Sequence, residues 1–175
     1  MSTTATKLSA KKSSGGPSAV RRREAALNAM TGSGIVNYYV HGPLNQTPHA
    51  DFNVANVVKM LDAGLPITEL TDLQDSLAVP AERLAPMLGI SKATFHRSKG
   101  AGSKLNPAVS DRVVRFARLL GRAVKVFGDL QDAKQWLNSP QFGLGGVVPL
   151  DYAKTEVGAR EVENLLGRIE FGVYS

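Results

Sequence analysis

The stretch Pro80–Arg97, PAERLAPMLGISKATFHR, decides the fold. Pro80 suits the first position of a short helix whose inner face is Leu84 and Ala85. Gly89 supplies the left-handed residue that turns the chain. Ile90 packs the corner, Ser91 caps a second helix, and Phe95, four residues after that cap, faces the core. The pattern is a helix-turn-helix. Its second helix carries Lys92, Thr94, His96, Arg97 and then Lys99 on its polar sides, an apolar anchor with cations and hydrogen-bonding groups left for a groove. On a DNA reading, Ser91 heads the helix and Lys92, Thr94 and His96 reach bases. Arg97, Lys99 and Lys104 then sit on phosphates, which position a protein without specifying sequence. Helix-turn-helix shapes also occur in proteins that never touch DNA, and the same basic run also serves as a solvated face. Pro86 departs from the pattern, because an interior proline removes a backbone donor and kinks a helix.

Downstream the chain stays helical. Asn106-Pro107 is a cap followed by a first-turn proline, and Val109, Val113, Phe116, Leu119, Leu120, Val124 and Phe127 keep helical spacing until Gly128. Arg112, Arg115, Arg118, Arg122 and Lys125 lie along the opposite face. That basic face is either solvated, or it meets DNA or the acidic end of another chain. A shorter helix spans Gln131–Leu137 and stops before Ser139-Pro140. Pro149 opens another, and a last long helix runs from Val157 or Gly158 to Ile169. Gly143, Gly145 and Gly146 make a tight turn; with no Lys-Ser/Thr after them they do not form a phosphate loop. Upstream, Asp51 caps a helix through Val54, Val57, Val58 and Leu61 that Gly64 stops, and Leu70, Leu73 and Leu77 mark the next. Residues 34–50, with Tyr38, Tyr39, Gly42, Pro43 and Pro48, fit no regular element. No alternating strand of useful length occurs. The fold class is all-α.

The net charge of +6 is unevenly spread. Residues 1–50 carry six Lys/Arg against one acid, residues 106–128 five against one, and residues 129–175 four against seven. A basic front and middle with an acidic end implies one surface for phosphates and another for a different partner. Residues 1–33, with Lys11-Lys12 and Arg21-Arg22-Arg23, bury too little apolar surface to order and read as a basic arm, with a short helix near Arg22–Met30. The arm is either a solubilising tail or a nonspecific phosphate binder.

Several function classes drop out. With no cysteine there are no disulfides, thiolate metal sites or thiol nucleophiles, as in a reducing compartment. No apolar run approaches the roughly 18 residues a membrane span needs, and no signal-peptide core opens the chain, so a cytoplasmic protein without membrane contact is expected. His41, His49 and His96 lack metal-ligand spacing. Glu156, Glu161, Glu163 and Glu170 spread over a helix, where Glu163 supports Arg160 or Arg168 by local pairing, rather than converging for acid–base work. Neither an enzyme nor a cofactor is expected.

The closing run Thr155–Ser175, TEVGAREVENLLGRIEFGVYS, ends on Gly172-Val173-Tyr174-Ser175 without a polar tail. Leu165, Leu166 and Ile169 fix the helix end. Phe171, Val173 and Tyr174 then project as an apolar wedge, or Phe171 and Tyr174 fold back as core. Trp136 reads as core.

From residue 52 onward the chain resembles the Xre-type antitoxins of RES–Xre toxin–antitoxin systems, which carry an MbcA/ParS/Xre toxin-binding domain. The resemblance rests on Gly64-Leu65-Pro66, Leu88-Gly89-Ile90-Ser91 with Thr94 and Arg97, Ser110-Asp111-Arg112, Phe127-Gly128, and Trp136-Leu137 with Pro140. Its strongest parts are Leu144-Gly145-Gly146 with Pro149-Leu150-Asp151, Thr155-Glu156 with Gly158, and Leu166-Gly167-Arg168-Ile169-Glu170 with Gly172-Val173-Tyr174. Tyr152-Ala153 replaces a usual pair of leucines. The resemblance implies a Cro/Xre-like helix-turn-helix domain followed by a small helical toxin-binding domain, here divided as an arm and irregular segment (1–50), a DNA-binding and oligomerisation domain (51–128) and a toxin-binding domain (129–175). It further implies a RES-domain toxin that consumes NAD⁺ or transfers ADP-ribose from it, repression of the operon through operator DNA, and self-association. The toxin-facing residues on this reading are Arg160, Arg168, Glu170, Phe171, Gly172, Val173, Tyr174 and Ser175. The competing reading is a helix-turn-helix repressor whose C-terminal region only dimerises, or a neutralising protein whose helix-turn-helix serves oligomerisation alone.

Overall fold

A computed structural model describes residues 34–45, 54–98 and 103–173. The basic arm, the Asp51 cap, His49, Lys99, Tyr174 and Ser175 lie outside the described residues. Helices follow one another as α1 (Ile35–Asn45), α2 (Val54–Ala63), α3 (Thr68–Leu77), α4 (Ala81–Met87), α5 (Lys92–Ser98), α6 (Pro107–Phe127), α7 (Leu130–Asn138), α8 (Pro149–Tyr152) and α9 (Glu156–Glu170). Among the described residues, extended pairing is limited to two isolated bridges, Pro66 with Lys104 and Gln141 with Val147. The chain is all-α.

The long helix α6 organises the rest. Asn106 Oδ1 accepts the Val109 N–H at 2.9 Å, Pro107 opens the first turn, and Gly128 ends the helix in the left-handed region. Twenty-one residues make it about 32 Å long. Val113, Phe116, Leu120 and Val124 are fully buried along it. Asp129 caps α7 through the Gln131 and Asp132 N–H groups, and Trp136 on α7 is half-buried with its ring 5.7 Å from that of Phe127. Thr155 caps α9 through the Gly158 N–H at 3.1 Å.

One expectation is corrected here. Residues 34–45, unassigned from sequence, form α1, which lies along α6. Two distant residues make that possible. Glu69 is 98% buried, and its two carboxylate oxygens accept the Ile35 and Val36 N–H groups at 2.9 Å each, capping α1 from the first turn of α3. Gly121 lets the backbones approach, since a Cβ there would lie 1.9 Å from the Tyr39 carbonyl oxygen.

Candidate functional site: a helix-turn-helix and an exposed apolar helix end

The helix-turn-helix forms as its local sequence dictates. Gly89 has φ +68°, its N–H donates to the Pro86 carbonyl at 3.1 Å, and the Ile90 N–H reaches back to the Ala85 carbonyl at 3.0 Å. Both bonds engage carbonyls in the last turn of α4, where the helix's own i→i−4 partners run out. Pro80 stands just outside α4 as its cap rather than as its first residue. Pro86 lies so near the helix end that α4 continues through it to Met87. Arg112 on α6 donates from Nη1 to the Leu88 carbonyl at 2.9 Å and so ties the turn to the long helix.

Helix α5 buries Phe95 completely and exposes Lys92, Thr94, His96 and Arg97. Ser91 Oγ accepts the Thr94 N–H at 3.0 Å and shares a hydrogen bond with the Thr94 hydroxyl at 2.9 Å, so its side chain is taken up by capping. Lys92 Nζ pairs with Glu82 across from α4. The Lys92 ammonium's hydrogen bond holds the exposed Glu82 carboxyl below the ordinary carboxylate range. Among the described residues, Lys92 of α5 is thus offset by an acid, while Arg97 stands exposed on the same helix. Lys104 sits on a different element, the bridge before α6, where its Nζ donates to the Ala63 carbonyl at 3.5 Å.

The basic ridge of α6 pairs with acids of its own chain. Arg115 Nε donates to Glu156 at 2.9 Å, Arg118 Nε to Glu163 at 2.8 Å, and Arg122 and Lys125 both hold Glu170. The ladder rises along α6 and α9 together, with the glutamates seven residues apart. Glu163 thus pairs across helices with Arg118, not locally with Arg160 or Arg168. Burial alone raises the Glu156 carboxyl, yet the guanidiniums of Arg160, Arg115 and Arg118 hold it below its ordinary range. Individual exposed pairs contribute only about 0–1 kcal/mol, so the ladder's main effect is to fix how α9 lies on α6. A second brace starts in α4, where Arg83 donates to Asn138 Oδ1 at 2.8 Å and to Asp151 Oδ2 at 3.3 Å.

Held this way, α9 presents an outer edge and an apolar end. Leu165 and Leu166 are buried and Ile169 packs against the core, as the sequence implied. Gly172 adopts φ +67°, its N–H donates to Ile169, and the Val173 N–H returns to the Arg168 carbonyl at 2.9 Å. That turn leaves Phe171 78% exposed and places Val173 in a cleft of ≈ 370 Å³ with Phe142, Leu165, Arg168 and Ile169. Phe142 itself, on the glycine-rich turn, is fully exposed. Sequence reasoning missed it, although an aromatic residue beside Gly143 was the visible signal. Glu170, one of the toxin-facing residues expected from sequence, points into the ladder; Arg168 holds Glu161 at 3.4 Å and Arg160 holds Glu156 at 3.4 Å.

Comparison with known proteins gives these two surfaces a family. Residues 57–118 match the Antitoxin Xre-like helix-turn-helix domain, and residues 122–172 match the Antitoxin Xre/MbcA/ParS C-terminal toxin-binding domain. Antitoxin Xre of Photorhabdus laumondii is 36% identical over 117 residues, which is 66% of this chain and 79% of that protein. The chain belongs to the Xre-type antitoxin family. A second Antitoxin Xre, from Yersinia enterocolitica, is 32% identical over 131 residues, covering 65% of this chain and 88% of the relative. The Prs ADP-ribosylating antitoxin of a Sphingobium species is 27% identical over 127 residues, covering 67% of this chain and 80% of the relative. The junction between the two matched regions of this Xre-type antitoxin falls inside α6, so one continuous helix carries both the DNA reader and the toxin-binding part. Among the described residues no helix is long and apolar enough to cross a membrane.

Proposed function

We propose that this antitoxin neutralises a RES-domain, NAD⁺-consuming toxin by placing the segment after α9 in the toxin's active-site cleft, and that it represses its own operon by binding operator DNA as a cytoplasmic homo-oligomer. The observation that carries the first half is the braced, apolar end of α9. Arg122 and Lys125 hold the helix as far as Glu170, and Phe171 and Val173 stand beyond that anchor, exposed and beside Arg168. An element ordered before it binds loses less freedom on docking, and a concave nucleotide cleft with few polar groups suits an aromatic plug flanked by a cation. Arg160, Arg168 and residues 171–175 supply the contact, while Glu170 acts from inside the ladder. The name of the Sphingobium relative points the same way, because ADP-ribosylation draws on NAD⁺. Neutralisation is then a matter of binding and needs no chemistry from the antitoxin.

For the DNA half, Lys92, Thr94, His96 and Arg97 face the groove under the Ser91 cap, and Lys99 and Lys104 add phosphate contacts. Residues 129–175 act as the toxin-binding part and residues 51–128 as the DNA-binding and oligomerisation part. Deleting residues 171–175 tests the reading. The shortened protein keeps the Glu170 anchor, so its far-UV circular dichroism stays unchanged and its operator affinity stays within about twofold at fixed salt. Protection of cells expressing the toxin is lost. Full protection by the shortened protein contradicts the proposal.

A further inference from the structure

A second groove flanks the first half of α9, about two to four turns before the plug. Val147, Tyr152 and Val157 give it apolar surface, Asp151, Glu156, Arg160 and Glu161 charged groups, and this open groove has a volume of ≈ 940 Å³. Val157 is 80% exposed at the start of α9, and Val147 and Tyr152 are exposed as well. Exposed large apolar side chains are not spread evenly over the described residues: of eight, six lie between Phe142 and Val173. Contiguous apolar exposure rimmed by polar groups marks an interaction surface.

We infer that this groove is where the antitoxin captures its toxin, separately from the segment that blocks the toxin's cleft. The inference rests on the toxin-neutralising reading above. Three features choose the occupant. The lining carries three acids, Asp151, Glu156 and Glu161, against Arg160, and each acid is already paired with a cation: Asp151 with Arg83 and Lys154, Glu156 with Arg115 and Arg160, and Glu161 with Arg168. It therefore fits an apolar protein segment flanked by hydrogen-bonding groups and offers nothing to a phosphate backbone. The groove and the plug cleft are separate, with no lining residue in common, yet both are built on α9 and the Gln141–Val147 turn. A partner seated over Phe142 and Phe171 thus extends naturally onto Val157. Finally, the region matched as toxin-binding, residues 122–172, contains the whole second groove and stops short of Val173.

The two roles separate by mutation. Val157 lies in the first turn of α9, where an acidic residue favours the helix, so Val157→Asp leaves the fold intact while placing a charge on the apolar surface. Val147→Asp does the same from the turn side. Binding is measured by calorimetry against a catalytically inactive form of the toxin encoded beside the antitoxin, with circular dichroism melts as the folding control. The V147D/V157D protein binds about 100-fold more weakly with an unchanged melt, and it still blocks NAD⁺ consumption when supplied in large excess. The protein lacking residues 171–175 binds within about tenfold of the parent yet no longer blocks consumption. The inference is overturned if V147D/V157D binds like the parent, if deleting 171–175 alone abolishes binding, or if the double variant changes only self-association in sedimentation. Failure of the unaltered antitoxin to bind or inhibit the toxin overturns the neutralising reading itself, a result distinct from all three.

Discussion

Replacing Gly121 by alanine is expected to destabilise the antitoxin by about 3 kcal/mol or more, seen as a fall in melting temperature of about 10 °C. The added Cβ would stand 1.9 Å from the Tyr39 carbonyl oxygen and 2.8 Å from its carbonyl carbon. Both neighbours are backbone, so no rotamer change relieves the clash, and α1 must lift from α6. Gly167 on α9 is the control. A Cβ there meets only Arg122 Nη2, at 3.9 Å, and Gly167→Ala is expected to raise stability by about 0.5–1 kcal/mol, the ordinary gain of alanine over glycine within a helix. Equal melts for the two variants would show that α1 does not pack on α6 as described.

Glu69→Ala attacks the same helix from its other anchor. It leaves the Ile35 and Val36 N–H groups without acceptors in a buried setting and opens a cavity, together costing about 3 kcal/mol. Glu69→Gln keeps the volume but turns an amide N–H₂ toward one of those donors, and loses about half as much. The pH dependence distinguishes packing from charge. Burial raises the Glu69 carboxyl above its ordinary range despite the two backbone hydrogen bonds that lower it. A raised folded pKa means stability fully present below the unfolded value and lost as pH rises through the folded one. The difference in stability between the parent and Glu69→Gln therefore shrinks as pH rises from acid toward neutrality. Glu156 has the opposite sign: its lowered pKa gives stability above the unfolded value that is lost as pH falls through the folded one. A parent–variant difference that stays flat, or grows toward neutral pH, contradicts the buried-carboxylate account.

The elements legible in the sequence are those whose causes are local. The turn at Gly89, the caps Ser91 and Asn106, and the stop at Gly128 each involve groups a few residues apart. Helix α1 hides because its causes are remote: Gly42 and Pro43 argue against a helix locally, while the cap and the close approach come from Glu69 and Gly121. Glu69 reads as one more acid on a polar helix, and only its burial shows otherwise. Both periodicities of the α6–α9 ladder are visible in the chain, yet their pairing joins residues more than 40 positions apart and depends on how the two helices dock, which spacing within either helix does not specify. The exposed end of α9 was legible as an apolar wedge. Phe142 and the Val157 groove were not, because a single apolar residue in a turn or a first helical turn looks the same whether it is covered or bare.

The proposed occlusion of the toxin's cleft would make NAD⁺ and the antitoxin mutually exclusive ligands of the toxin, and linkage requires such exclusion to be reciprocal. The most direct test titrates NAD⁺ into a catalytically inactive toxin, alone and saturated with the full-length antitoxin. The prediction is that NAD⁺ binding disappears in the complex and returns when the antitoxin lacks residues 171–175. An NAD⁺ dissociation constant identical for free and antitoxin-bound toxin would contradict it.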